Sequence, residues 1–168
     1  MIEKAKAFAT KAHDGQVRKY SGEPYITHPL AVADIVASVR SDESMIVAAI
    51  LHDTVEDTEV TIDDILLEFG FRVADLVDDL TDISKPEDGN RRIRKGIDCS
   101  HTYNSSPDAK TIKLADLIHN TESIVKCDPD FSKVYMKEKA ALLRVLRSGD
   151  YDLYQQAMAQ VDEYYANQ

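Results

Sequence analysis

At 168 residues the chain is long enough to bury one core and too short to argue for two, so a single domain over residues 1–168 is expected. Its 43% hydrophobic and 30% charged residues are ordinary for a folded soluble protein, and a net charge of −10 argues against a nucleic-acid polymer as partner, because affinity for a phosphate backbone needs many Lys and Arg contacts. Cys99 and Cys127 match neither a disulfide framework nor a zinc spacing, and no stretch reads as a signal peptide or a bilayer span; a soluble, cytoplasmic protein without a membrane partner is expected.

Apolar residues recur at helical spacing nearly everywhere and no stretch alternates as a half-buried strand does, so the fold class is all-α. A first helix runs from about Ile2 to Ala12, followed by a loop rich in Gly, Ser and Pro from His13 to His28 and a second helix opened by Pro29 at its first position. Ser41-Asp42-Glu43 starts a third helix, Met45-Ile-Val-Ala-Ala-Ile-Leu51, which runs into His52 and Asp53. Thr61 with Asp64 caps a short helix closed by Gly70, and Val73 to Leu80 forms the next turns. Ser84 to Asn90 is a break, Arg91 to Asp98 is helical, and Ser100 to Ser106 reads as a polar loop. Ser106-Pro107 caps a long helix to about Lys126; after Asp128-Pro-Asp130, helices from about Ser132 to Leu146 and Tyr151 to Tyr165 complete the chain.

The chemistry concentrates at the end of the third helix. His52 and Asp53 follow an apolar run, and Glu56 and Asp57 come one turn later on the same face of a continued helix. Three acids and an imidazole ending a buried segment repel and desolvate one another unless a cation sits among them, so a divalent metal site is the economical reading. Further ligands are available at His28, stiffened between Pro24 and Pro29, and at Asp116, which shares a helix face with Lys113 and Asn120. Two imidazoles and two carboxylates suit Mn²⁺ or Fe²⁺ without excluding Zn²⁺ or Mg²⁺, and Mn²⁺ is favoured. Such an ion polarises a phosphoryl oxygen and acidifies water; Glu56 and Asp57 would move its proton, and Arg18 and Lys19 would neutralise phosphate charge.

Arg18-Lys19, Gly22-Glu-Pro-Tyr-Ile-Thr-His-Pro29, Leu51-His-Asp-Thr-Val-Glu-Asp57 and Lys113-Leu-Ala-Asp116 with His119-Asn120 together resemble the HD-domain metal-dependent phosphohydrolases, and within them the hydrolase domain of RelA/SpoT proteins. The resemblance runs from about His13 to Asn120, and the short chain, with Ser105-Ser-Pro107 ahead of the Asp116 helix, is similar to the stand-alone small alarmone hydrolases. It implies an HD-domain bundle of about eight to ten helices and Mn²⁺-dependent removal of the 3′-pyrophosphate of (p)ppGpp, a small nucleotide. It also implies His28, His52, Asp53 and Asp116 as metal ligands, Glu56 and Asp57 as the acid-base pair, and Arg18, Lys19, Tyr25 and Asn120 as substrate contacts. The family usually has basic residues where this chain has Leu117 and Glu122. A Glu in place of an Arg reverses a local charge, so either the phosphate contact is made elsewhere or the preferred nucleotide differs.

Blander readings stand beside these. Glu56 and Asp57 are also what a solvated helix end looks like, Asp116 is also what a structural acid paired with Lys113 looks like, and the Arg91-Arg-Ile-Arg-Lys95 cluster is most simply a solvated face. His119 reads as a supporting histidine behind the ligands; His13 and His101 carry no assignment. Tyr151, Tyr154, Tyr164 and Tyr165 read as packing against the domain. Three rival functions remain: a phosphohydrolase acting on another nucleotide such as NADPH, a non-catalytic nucleotide sensor, and a helical scaffold. No sequence feature sets the oligomeric state.

Overall fold

The all-helical expectation holds: the computed structural model, which describes residues 1–168, has ten α-helices, one 3₁₀ turn and no β-sheet. In chain order these are α1 (Ile2–Ala12), α2 (Thr27–Val39), α3 (Glu43–Leu51), α4 (Thr54–Asp57), α5 (Ile62–Phe69), α6 (Phe71–Leu80), the 3₁₀ turn Pro86–Asp88, α7 (Arg91–Asn104), α8 (Pro107–Cys127), α9 (Pro129–Leu142) and α10 (Tyr151–Ala166). They divide into two units, Met1–Thr81 and Asp82–Gln168. No helix is long and apolar enough to cross a membrane.

In the first unit α3 is the central element, with Met45, Val47, Ala48, Ala49, Ile50 and Leu51 all buried, and α1, α2 and α6 pack around it. A helix apolar on every side needs neighbours on every side. Asp42 caps α3 through the Ser44 amide at 2.8 Å. Thr61 and Asp64 form the expected capping box of α5, and Gly70, at φ 85°, both ends α5 and begins α6 in a conformation that L side chains avoid.

Three boundaries differ from expectation, each for a local reason. Helix α2 begins at Thr27, so Pro29 is its third residue, where the missing N–H is still one of the four amides a helix start leaves unused. Helix α7 continues through the expected loop Ser100–Ser106 as far as Asn104, and its polar side chains are satisfied there on its own carbonyls without breaking it: Thr102 Oγ1 donates to Asp98 O at 3.0 Å and Asn104 Nδ2 to Ser100 O at 3.0 Å. Helix α9 begins at Pro129, with Asp128 accepting from the Phe131 amide at 3.1 Å, and ends at Leu142, after which the chain tightens into i→i−3 turns.

In the second unit α8 packs against α9 and α10. Ser106 accepts from the Ala109 amide at 3.2 Å and Pro107 opens α8, as expected. Tyr164 is buried with its hydroxyl 3.1 Å from Ser132 Oγ, whereas Tyr151 and Tyr165 are exposed, so the tyrosine tail packs only in part. The turn into α10 passes so close to α8 that a Cβ on Gly149 would lie 2.8 Å from Leu114 Cδ1 and 3.1 Å from the Lys110 backbone. Lys139 on α9 is 1% exposed and donates to Thr121 Oγ1 at 2.8 Å and to Gln160 Oε1.

Gly149→Ala should therefore destabilise the protein by about 1–3 kcal/mol, read as a lower urea midpoint; an unchanged midpoint would show that α8 gives way freely. Burial pulls the Lys139 ammonium down to about 7 from 10.5. Between those values the unfolded chain binds the extra proton, so stability from this group is lowest below about pH 7 and rises from there toward 10.5. The unfolding free energy should climb over that range and the climb should flatten in Lys139→Met.

Candidate metal centre

The His52-Asp53 doublet does not continue a helix; it interrupts one. Helix α3 stops at Leu51 because side chains from the next residues take its last carbonyls: His52 Nδ1 bonds Ala49 O at 2.8 Å and Thr54 Oγ1 donates to Leu51 O at 2.6 Å. A carbonyl can only accept, so His52 Nδ1 carries the proton and, in the neutral ring, Nε2 keeps its lone pair, the tautomer a metal ligand requires. That nitrogen lies 3.2 Å from Asp53 Oδ2. Asp53 then begins the single turn α4 that carries Glu56 and Asp57.

His28, in the first turn of α2, brings its Nε2 to 3.5 Å from the same Asp53 oxygen. The two imidazoles meet edge to face, 5.2 Å between centroids, and both are buried. One ligand atom from each of His28, His52 and Asp53 lies within 4.8 Å of the others. Two ring nitrogens and a carboxylate oxygen converging this closely suit a divalent ion, so the donor set fits the group its chemistry implies. Tyr25 donates its hydroxyl to Asp53 Oδ2 at 2.6 Å, orienting the carboxylate. The sequence places Tyr25 among the expected substrate contacts; in the fold its hydroxyl bonds Asp53, one of the three clustered side chains.

The loop ahead of α2 closes through the Arg18 amide to Glu23 O at 2.8 Å and the Gly22 amide to Arg18 O at 2.9 Å, with Gly22 at φ 73°. It stacks the Arg18 guanidinium 5.8 Å from the Tyr25 ring centre, beside the cluster, and sets Lys19 against Tyr20 at 4.9 Å. Glu56 and Asp57 are exposed at the open edge of α4. Desolvation nonetheless pushes the Asp57 carboxyl above the ordinary carboxylate range and the Asp53 charge adds to this, while the Tyr25 hydroxyl, His13 and His52 offset part of it.

His13, which belongs to no motif, is 3% exposed and packs its ring 4.7 Å from Tyr25. Its Nδ1 lies 2.8 Å from Gln16 Oε1, and Gln16 Nε2 donates to the Asp57 carbonyl at 2.8 Å. A lone histidine in a polar loop has no spacing to mark it, so only the folded chain brings this pair to the site.

In the second unit Lys113, Asp116 and Asn120 share a face of α8 as expected. Asp116 is 7% exposed, accepts from Asn120 Nδ2 at 2.6 Å and lies 3.4 Å from Lys113 Nζ. Leu117 is a buried core residue, and Glu122 is exposed. His119 and His101 are half-buried on α8 and α7. In the basic cluster, Arg91 makes a paired contact to Glu138 at 2.7 and 2.8 Å, and Lys95 reaches Asp82 at 2.8 Å.

Comparison with known proteins agrees with these motifs. A family model described as HD domain matches residues 5–146. The chain is 40% identical over 132 residues to the human guanosine-3′,5′-bis(diphosphate) 3′-pyrophosphohydrolase MESH1, covering 75% of this chain and 70% of that one. It is 42% identical over 127 residues to a GTP pyrophosphokinase of Streptomyces coelicolor, covering 73% of this chain but only 14% of that much longer protein. The solved structure of a metazoan orthologue of SpoT that hydrolyses ppGpp matches with a TM-score of 0.84 at 28% identity, covering 99% of this chain and 94% of that one.

If the Tyr25 hydroxyl holds Asp53 in its ligating pose, Tyr25→Phe should weaken divalent-metal affinity roughly 10- to 100-fold in a chelator competition. Unchanged affinity would mean that Asp53 is held without it.

Proposed function

The chain belongs to the HD-domain family, and from that membership and the His28-His52-Asp53 cluster we propose that it is a metal-dependent hydrolase that removes the 3′-pyrophosphate of ppGpp and pppGpp. The products are pyrophosphate and GDP or GTP. The observation that carries the reading is the convergence of two imidazoles and a carboxylate within 4.8 Å beside the acids of α4.

His28, His52 and Asp53, joined by Asp116, would hold one ion, with Mn²⁺ favoured and Fe²⁺ or Zn²⁺ as alternatives on the mixed imidazole and carboxylate set. Bound there, a divalent ion supplies Lewis acidity toward a phosphoryl oxygen and acidifies water. The chain's own groups do the rest. Glu56 and Asp57 take the proton of the attacking water as its oxygen bonds phosphorus; the bond between that phosphorus and the ribose 3′ oxygen breaks, and the 3′ oxygen recovers a proton. Asp57 sits on the single turn that Asp53 begins, next to the cluster, where it can pass that proton on. Arg18 and Lys19 neutralise the phosphate charge, Arg18 held in place by its stack on Tyr25, and Asn120 contacts the nucleotide. Tyr25 serves chiefly to orient Asp53, with any contact to substrate secondary to that bond. On this reading residues 1–168 act as one HD domain, in the cytoplasm, on a small nucleotide.

A second reading has a specific observation behind it. Leu117, where the family usually places a cation, is packed into the core, and Glu122 is an acid; together they favour a nucleotide with less phosphate to hold at that end, such as NADPH. A sensor or scaffold is disfavoured because Glu56 and Asp57 are both retained.

Purified protein supplied with Mn²⁺ should release pyrophosphate from ppGpp. No release at micromolar enzyme defeats the substrate assignment, and turnover of NADPH in the same nucleotide panel would replace it. Asp53→Asn should lose bound metal and lower turnover beyond the roughly 100-fold typical of residues that only support ligands.

A further inference from the structure

Charge is shared unevenly along the chain: residues 1–81 hold seven Lys and Arg against sixteen Asp and Glu, whereas residues 82–168 hold thirteen against fourteen. Nearly all of the excess acid lies in the first unit. There the junction of α5 and α6 exposes three large apolar side chains within six positions: Leu66, Leu67 at 84% and Phe71 at 75%. Asp63, one turn before Leu67 on α5, and Asp75, one turn after Phe71 on α6, stand exposed beside them. From Glu59 to Asp79 there are seven acids and one cation, Arg72, and of those acids Glu68 is taken up by Lys4 at 2.8 Å. Single exposed apolar residues are ordinary, but a cluster of them inside a like-charged rim is what an interface looks like before it is covered. The second unit carries a counterpart. On α9, Val134, Lys137 and Ala141 recur at helical spacing and are all exposed, Val134 at 45%; Lys133, paired with Asp130 at 3.3 Å, lies beside them, and Arg144 follows in the turn after the helix. The only acid from Lys133 to Arg147 is Glu138, and Arg91 holds both of its oxygens.

We propose that the acid-rimmed apolar patch of α5 and α6 on one molecule docks on the basic stripe of α9 on a second copy of this chain. The occupant is argued from charge: an apolar patch flanked by acids selects a surface that is basic and mildly apolar, and this chain displays one. Both faces are exposed within a single molecule, so neither is taken up by the other. Two molecules of net charge −10 repel as wholes, but at physiological ionic strength screening leaves the charges within about 8 Å of each other to decide, and there the two faces attract. Because the two faces differ, the contact is heterologous, and a pair joined this way still offers one patch and one stripe.

That asymmetry supplies the test. Leu67→Ser with Phe71→Ser removes the patch, and Lys137→Glu with Arg144→Glu reverses the stripe; all four side chains are exposed, so both variants keep the fold. By sedimentation equilibrium at about 0.15 M salt the mean mass of wild-type protein should rise with concentration above that of the monomer, and each variant alone should associate at least roughly 10-fold more weakly. Mixed in equal amounts, the two variants should pair, since one still offers the stripe and the other the patch, and should stop at twice the monomer mass. Raising the salt to about 1 M should weaken the wild-type association. Wild-type protein that stays monomeric up to about 1 mM overturns the proposal, as does either variant assembling as wild type does. Two further results would do the same: a mixture that remains monomeric while wild type associates, which places the contact on other faces, and an association that salt leaves unchanged.

Discussion

Three potential ligand atoms brought to one spot constrain everything else in the first unit. The Nε2 atoms of His28 and His52 both lie within 3.5 Å of a single Asp53 oxygen. Such groups are poorly solvated where they meet, and a hydroxyl from Tyr25 at 2.6 Å satisfies only part of the Asp53 carboxylate. On the proposed function a divalent cation would supply the rest. On that reading the surroundings follow: His52 keeps its proton on Nδ1, the loop before α2 is stiff enough to deliver Tyr25 and His28, and Glu56 and Asp57 come after Asp53, on a turn of their own.

That turn is where a plain helical reading and the fold part company. The apolar run from Met45 to Leu51 is legible as a buried helix, and the His-Asp doublet after it as a candidate ligand pair, because burial makes charged side chains conspicuous. The break between them is not legible in periodicity. It depends on His52 and Thr54 side chains taking carbonyls that a continuing helix would have used, a choice made between two hydrogen-bond arrangements of similar local merit. Helix α7 is the converse case: polar residues that read as a loop are accommodated within a helix. His13 and Gln16 were out of reach for a different reason, since their relation to Asp57 spans more than forty residues and has no pattern along the chain.

The second unit contributes a different kind of order. On α8 the row Lys113, Asp116 and Asn120 could be read straight from helical spacing, because residues three and four apart must be neighbours. Leu117, four residues after Lys113 and three before Asn120, flanks that row and is buried in the core. The core in turn tolerates a lysine, Lys139, only because Thr121 and Gln160 receive its hydrogens and because burial makes the neutral form accessible near neutral pH.

The way α3 ends has a consequence for how this protein can change over evolutionary time. Its chemistry is bolted to the last carbonyls of its most deeply packed helix, with no flexible joint between the hydrophobic interior and the ligands. A repacking at Met45 or Ile50 that another fold would absorb as a small loss of stability would here tilt the imidazole of His52 and the carboxylate of Asp53 together. Interior drift is therefore screened by function as well as by folding, and the interior of the first unit should diverge more slowly than its depth alone would dictate.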